Sequence, residues 1–300
     1  MPSAARPLDL ISLMLCPVCG EQLEAAGQFP AQGLRCVAGH QYDGARQGYV
    51  NMLTGRGTRF IPDTAEMVTA RDAFLGAGHY APLALQLAAT AGTLLAGTQA
   101  PVLLDAGAGT GYYLEAVLRN LADGRALALD LSKFALRRAA RALPDALCVV
   151  WDLWKPLPLA ARSTDLILNV FAPRNPAEFA RVLKPGGHLL VATAAPGHVD
   201  ELREVVPLLA VDTDKSERLG ETLGDGFEEV ESVALQVPLE LGAEDIVRLV
   251  MMGPNAHHID AGDVRTAAAA AAGAEGGADA GQLPVTARFT VTAYRRRGRG

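Results

Sequence analysis

The stretch Leu103-Leu104-Asp105-Ala106-Gly107-Ala108-Gly109-Thr110-Gly111-Tyr112-Tyr113 leads an apolar run through glycines at alternate positions into a helical pattern. Glycine removes the side chain, so the backbone can turn tightly and press against a ligand. A dinucleotide fold asks for G-x-G-x-x-G, whose third glycine lets the helix pack on the strand near a pyrophosphate. Here the third glycine comes one residue early, and Tyr112 holds the place it should fill. An acid, Asp105, also precedes the turn, where it would repel a pyrophosphate. S-adenosylmethionine (SAM) has no phosphate; it carries an ammonium and a sulfonium, which a carboxylate at the strand end favours. Gly107, Gly109 and Gly111 with Asp105 therefore read as a SAM cradle, and a dinucleotide-dependent dehydrogenase is the competing reading.

Outward from this turn, short apolar runs alternate with helical patterns. Val102-Leu103-Leu104 ends at Asp105, Ala126 to Leu129 ends at Asp130, and Leu147 to Val150 ends near Asp152. Asp165 to Leu168 and His188 to Ala192 follow, with helices over Tyr113 to Leu121, Ser132 to Ala142 and Pro176 to Leu183. Runs this apolar, separated by helices, indicate a parallel sheet covered on both faces. Glu229 to Leu241 and Val285 to Tyr294 alternate apolar and polar residues and read as a closing pair of strands, at least one of them antiparallel. The fold class is thus α/β: a doubly wound, seven-stranded, Rossmann-like domain. Open sheets of this kind bind ligands at the carboxyl ends of their strands. Asp105 there meets the amino-acid end of SAM, Asp130 accepts both ribose hydroxyls, and Asp152 accepts from the adenine amine.

Upstream, Asp63 or Thr64 caps a helix running to Leu75, and a second helix spans Pro82 to Leu95. Downstream, a helix near Ala243 to Met252 precedes Ala267 to Gly281, an Ala-rich helix that dissolves into a Gly-rich loop. The division expected is a zinc-binding, RNA-recognition module over 1–55, a linker and helix over 56–78, and the SAM-binding domain over 79–300.

The first module has little apolar periodicity, and a metal would stabilise what burial alone cannot. Cys16-Pro17-Val18-Cys19 and Cys36-Val37-Ala38-Gly39-His40 form C-x2-C followed by C-x3-H. Each pair can close on one ion, so Cys16, Cys19, Cys36 and His40 give a four-ligand, structural Zn2+ site with no position open to water. Arg35, Arg46, Arg56 and Arg59, interleaved with Tyr42, Tyr49 and Phe60, read either as phosphate contacts and stacking platforms for RNA or as a solvated basic surface.

Composition sets bounds. The formal net charge of -6 excludes a general polycation but not a local basic face. No apolar run approaches the ~20 residues of a membrane span. The start, Met1-Pro2-Ser3-Ala4-Ala5-Arg6, lacks a secretory stretch, so the expected location is the cytoplasm, where clustered cysteines indicate metal before disulfide.

Longer segments carry a resemblance. CPVCG and CVAGH, HQYDGARQGYVN (His40 to Asn51), TAEMVTARDAFLGAGHYAPL (Thr64 to Leu83), DAGAGTGYYL, LDLSKFALRRAARALP (Leu129 to Pro144), LNVFAPRNPAEFARVLKPGG (Leu168 to Gly187) and VMMGP (Val250 to Pro254) together resemble the bacterial 23S rRNA guanine-N1 methyltransferases of the RlmA and tylosin-resistance TlrB type. NVFAPRNP and MGP look more like the TlrB branch. The resemblance covers nearly the whole chain. It implies N1 methylation of a guanine in a hairpin loop of 23S rRNA domain II, a contribution to macrolide resistance, and a homodimer. It also implies that Tyr80, Gly109, Thr110 and His198 touch SAM, and that the two Cys/His pairs hold zinc. His257, where relatives tend to carry Trp, and the Ala/Gly stretch after Arg265 depart from the pattern.

The acceptor pocket is expected after the fourth strand, at Asn169-Val170-Phe171-Ala172-Pro173. Methylases of exocyclic amines usually show [DN]-P-P-[FYW] there; the missing Pro-Pro-aromatic fits another target atom. Asn169 orients the base edge and Phe171 stacks on it, or else Asn169 satisfies backbone and Phe171 is core. A small-molecule methyltransferase and a non-catalytic RNA-binding protein that kept the fold remain as alternatives, since fold alone does not choose an acceptor.

Overall fold

The computed structural model describes residues 6–55, 57–206, 223–273 and 281–298. The chain begins with α1 (Arg6–Ile11), then a three-stranded antiparallel sheet of β1 (Leu23–Ala25), β2 (Leu34–Cys36) and β3 (Gln41–Tyr42). β4 (Tyr49–Asn51) leaves this small sheet and pairs with the large one. Helices α2 (Ala65–Gly76) and α3 (Ala81–Leu94) follow. Thr64 caps α2, its Oγ1 accepting from the Met67 amide at 3.3 Å.

The wound domain then runs β5 (Val102–Ala106), α4 (Tyr112–Arg119), β6 (Arg125–Asp130), α5 (Lys133–Ala142), β7 (Leu147–Val150), β8 (Thr164–Val170), α6 (Pro176–Val182) and β9 (Leu183–Ala194). β10 (Phe227–Leu241), α7 (Ala243–Met251), α8 (Ala261–Ala271) and β11 (Leu283–Arg296) close it. The strand order is β10-β11-β9-β8-β5-β6-β7-β4. β4 to β9 are mutually parallel, while β11 lies antiparallel between β9 and β10. Seven strands match those read from the sequence, and β4 is an eighth. Part of the Ala/Gly stretch, 274–280, lies outside the described residues.

Alternation along the strands divides the core. Leu103, Leu166, Leu168 and Cys148 face one side with Leu83, Leu87, Leu114 and Leu136 of the helices. Leu104, Leu127, Leu147, Val149 and Ile167 face the other. There the N-terminal module supplies the cover: Leu10, Met14, Leu34, Tyr42, Val50 and Met52 share that core. The small module is therefore bonded to the large sheet by β4 and packed on its face, although the sequence shows no period that announces it. Among the described residues, no helix is long and apolar enough to cross a membrane.

Candidate active site

Two glycine-stiffened turns assemble the metal ligands. The Gly20 amide donates to Cys16 O at 2.8 Å and the Gly39 amide to Cys36 O at 3.0 Å, with both glycines at positive φ. These turns bring Cys16, Cys19, Cys36 and His40 together with all ligand atoms within 4.8 Å of one another. Cys19 Sγ and Cys36 Sγ are 3.7 Å apart, and His40 Nδ1 lies 3.6 Å from Cys16 Sγ and 3.3 Å from Cys36 Sγ. A tetrahedral Zn2+ with ordinary bond lengths needs edges of about 3.8 Å between sulfurs and about 3.6 Å from sulfur to nitrogen. The four donors fit that ion. Burial opposes ionisation of Cys16, but the Tyr42 hydroxyl at 2.9 Å and nearby amides outweigh it and hold the thiol down at about 6.

At the second site, β5 delivers the glycine turn to the carboxyl edge of the sheet. Gly107 has φ 95°, and a Cβ there would fall 2.2 Å from the Ala172 side chain. Gly111, at φ 84°, starts α4, and its Cβ would crowd Ala139 and Leu143 of the neighbouring helical segment. The turn is thus a closely fitted cradle, with Thr110 buried behind it.

The three acids differ in what holds them. Asp105 is 2% exposed, and its carboxylate has no hydrogen-bond partner among the described residues. Burial, then the charge of Asp130, pushes its pKa well above the ordinary carboxylate range. Such a group calls for a cation, and the ammonium of SAM fits it. Asp130 accepts from the Gly109 amide at 2.8 Å through one oxygen and from the Ser132 amide at 2.7 Å through the other. Burial raises its pKa while those two donors lower it. Spare lone pairs remain for ribose hydroxyls. Asp152 accepts from Thr58 Oγ1 at 2.7 Å and from the Trp154 amide at 3.0 Å.

Tyr80 and His198 meet at the same edge. The Tyr80 hydroxyl lies 3.3 Å from His198 Nε2, and His198 Nδ1 lies 2.8 Å from Arg288 O. Burial holds the imidazole below its usual range, so it is neutral at pH 7. Nδ1 also lies 3.1 Å from the Arg288 amide, so it meets both a donor and an acceptor of Arg288. In the tautomer that donates from Nδ1 to Arg288 O, Nε2 accepts from Tyr80.

On the acceptor side, the Asn169 amide donates to Ala106 O at 2.9 Å and Pro173 O at 3.0 Å, clamping the ends of β5 and β8. Its Oδ1 is buried without a partner. Phe171 stands at φ 52°, a left-handed conformation unusual for an aromatic residue, and is 45% exposed. Its ring lies 6.3 Å from Tyr113 and 5.8 Å from Phe289.

Comparison with known proteins places these features together. Residues 14–55 match the family model "RlmA, N-terminal", a zinc ribbon, and residues 103–187 match "Methyltransferase domain". The "23S rRNA (guanine(748)-N(1))-methyltransferase" of Streptomyces fradiae is 45% identical over 84% of this chain and 88% of its own length. A Micromonospora griseorubida protein, provisionally named a 23S rRNA (guanine-N1)-methyltransferase, is 46% identical over 84% of this chain and 89% of its own. The chain belongs to the 23S rRNA (guanine-N1)-methyltransferase family.

A solved Bacillus halodurans structure, described as a methyltransferase, aligns at TM-score 0.48 and 17% identity over 70% of this chain and 99% of that one. In this guanine-N1 methyltransferase family member, two residues near the cradle escaped sequence reasoning. Arg71 pairs with Asp63, donates to Met252 O at 2.7 Å, and reaches within 3.7 Å of where a Gly109 Cβ would stand. Phe289 of β11, 1% exposed, packs 4.9 Å from both Tyr80 and His198. Neither position carries a spacing signal: Arg71 lies in an ordinary helix and Phe289 in an ordinary alternating strand.

Proposed function

We propose that this protein transfers a methyl group from SAM to N1 of a guanine in a hairpin loop of 23S rRNA, and so contributes to resistance against tylosin-type macrolides. The acceptor rests on one observation: the 45% identity to the Streptomyces fradiae enzyme runs over 84% of this chain and 88% of that enzyme. Guanine 748, named for that relative, is the position to examine first.

When bound, SAM supplies an electrophilic methyl on a sulfonium. Asp105 holds the ammonium, Asp130 the ribose, and the backbone of Gly107 to Gly111 closes on the amino-acid chain, with Tyr80, Thr110 and His198 as further contacts. Asp152, which accepts one hydrogen bond at each oxygen, keeps spare lone pairs for the adenine amine. Zn2+ is structural, holding Cys16, Cys19, Cys36 and His40 so that residues 1–55 grip RNA. Phe171 stacks on the target base, which must be unstacked from its loop to reach the site. Asn169 is a positioning residue: its clamp on Ala106 and Pro173 fixes where Phe171 stands. The reaction forms an N1–C bond, breaks the S–C bond and releases the N1 proton, so catalysis is chiefly alignment.

The resemblance further supports action in the cytoplasm as a homodimer, which light scattering of the zinc-loaded protein tests. For the activity itself, purified protein is incubated with SAM and unmodified 23S rRNA, and digested nucleosides are analysed by mass spectrometry. The expected product is 1-methylguanosine at a single loop position; its absence with intact, SAM-binding protein overturns the proposal.

A further inference from the structure

The carboxylate of Asp152, expected from the sequence to meet adenine, also bonds two loops together. Thr58 Oγ1 donates to one oxygen and the Trp154 amide to the other. Thr58 Oγ1 also accepts from the Phe60 amide at 3.1 Å. One buried acid thus fixes Phe60 and Trp154 together, from segments 94 residues apart. Their rings stack with centroids 6.1 Å apart and planes inclined by 29°. Trp154 is 53% exposed, and the Arg59 guanidinium lies 5.1 Å from the Phe60 centroid. Lys155 lines a cleft of about 330 Å³ between this loop and the zinc knuckle at Cys16 and Pro17.

We propose that Arg59, Phe60 and Trp154 form a stacking platform for one unpaired nucleotide of the RNA substrate, beside the nucleotide that is methylated. The stacked Phe60 and Trp154 rings, with Trp154 half in water, present a contiguous apolar face that a partner can cover. A base from a single-stranded loop has the flat apolar face to do so, and the Arg59 guanidinium at the rim suits its phosphate. Lys155 and the cleft continue the surface toward the metal module, which is the route an RNA strand needs to touch both modules. This proposal rests on the RNA reading above and adds a second nucleotide contact to it.

The chain has two tryptophans, so Trp151→Phe leaves Trp154 as the sole emitter. In that variant, titration with the 23S rRNA hairpin is expected to quench the emission, whereas SAM alone leaves it unchanged. Trp154→Ala should raise the KM for the hairpin on the order of tenfold, with the Kd for SAM within twofold, and Trp154→Phe should restore most of the loss. Quenching by SAM alone, together with a raised SAM Kd in Trp154→Ala, would assign the ring to adenine and overturn the platform. Unchanged RNA KM in Trp154→Ala, with wild-type methylation intact, overturns the platform alone. Wild-type protein that neither binds nor methylates the hairpin overturns this and the RNA reading together.

Discussion

The carboxylate of Asp130 accepts a hydrogen bond from the amide of Gly109 at 2.8 Å, tying the end of one strand to the turn that follows its neighbour. The residue assigned to the ribose therefore also sets the shape of the cradle. Asp130→Asn keeps one acceptor oxygen and cannot serve Gly109, Ser132 and ribose alike. We expect SAM affinity to fall about 10- to 100-fold, and Asp130→Ala to lose more, as read by titration calorimetry. Wild-type affinity in Asp130→Ala would remove this residue from the site.

Asp105 gives a prediction of opposite sign for stability and binding. Its folded pKa is raised by burial and by Asp130, so the fold is favoured when the group is protonated. That contribution is full below the unfolded carboxylate value and is lost as pH rises through the raised folded value. At neutral pH the ligand-free protein carries this cost. Asp105→Asn should therefore stabilise the ligand-free protein by about 1–3 kcal/mol while SAM binding collapses. In the wild type, SAM affinity should weaken as pH falls through the raised value, because an ammonium needs the ionised acid. Thermal unfolding and calorimetry across pH check both parts.

Phe171 holds a left-handed backbone that costs about 1–2 kcal/mol. Phe171→Gly relieves that strain and removes the ring. Stability should stay within about 1 kcal/mol of wild type, since the relief offsets lost ring contacts and greater unfolded-chain freedom. RNA methylation should drop at least about tenfold with SAM affinity unchanged. Methylation at the wild-type rate would show that the ring does not meet the base.

Much of the fold was legible because its signals are local. The glycine spacing, the apolar runs ending in Asp105 and Asp130, and the two Cys/His pairs each lie within a dozen residues of sequence. What escaped was pairing over distance. β4 has three residues, too few for a period to show, and its partner β7 lies almost a hundred residues on. β9 begins at Leu183 and not at His188, because Leu183 pairs with Thr164 across the Lys184-Pro185-Gly186-Gly187 turn that reads as a break. The side-chain amide of Asn169 donates to Ala106 O, and the carboxylate of Asp152 accepts from Thr58, partners no spacing rule connects. A side chain's chemistry can be read from its letter, but its spare valences depend on neighbours that only the fold supplies.

Removing the metal should reach beyond the first module. Chelation, or Cys36→Ser, releases a hub whose neighbours Leu34, Tyr42, Val50 and Met52 belong to the core shared with the large sheet. We expect RNA methylation to fall by at least about 100-fold and Tm by about 5 °C or more, monitored by rRNA methylation and calorimetry, with partial recovery on adding Zn2+. An unaltered Tm would mean that the module holds its shape without the ion.

β4 has one more consequence. It covers β7, whose Leu147-Cys148-Val149-Val150 run is wholly buried and apolar. Peeled away, it would leave a sticky, uncharged margin with its amides and carbonyls free to recruit another chain. Cells starved of zinc should therefore accumulate this protein as insoluble aggregates, not as an inactive soluble pool.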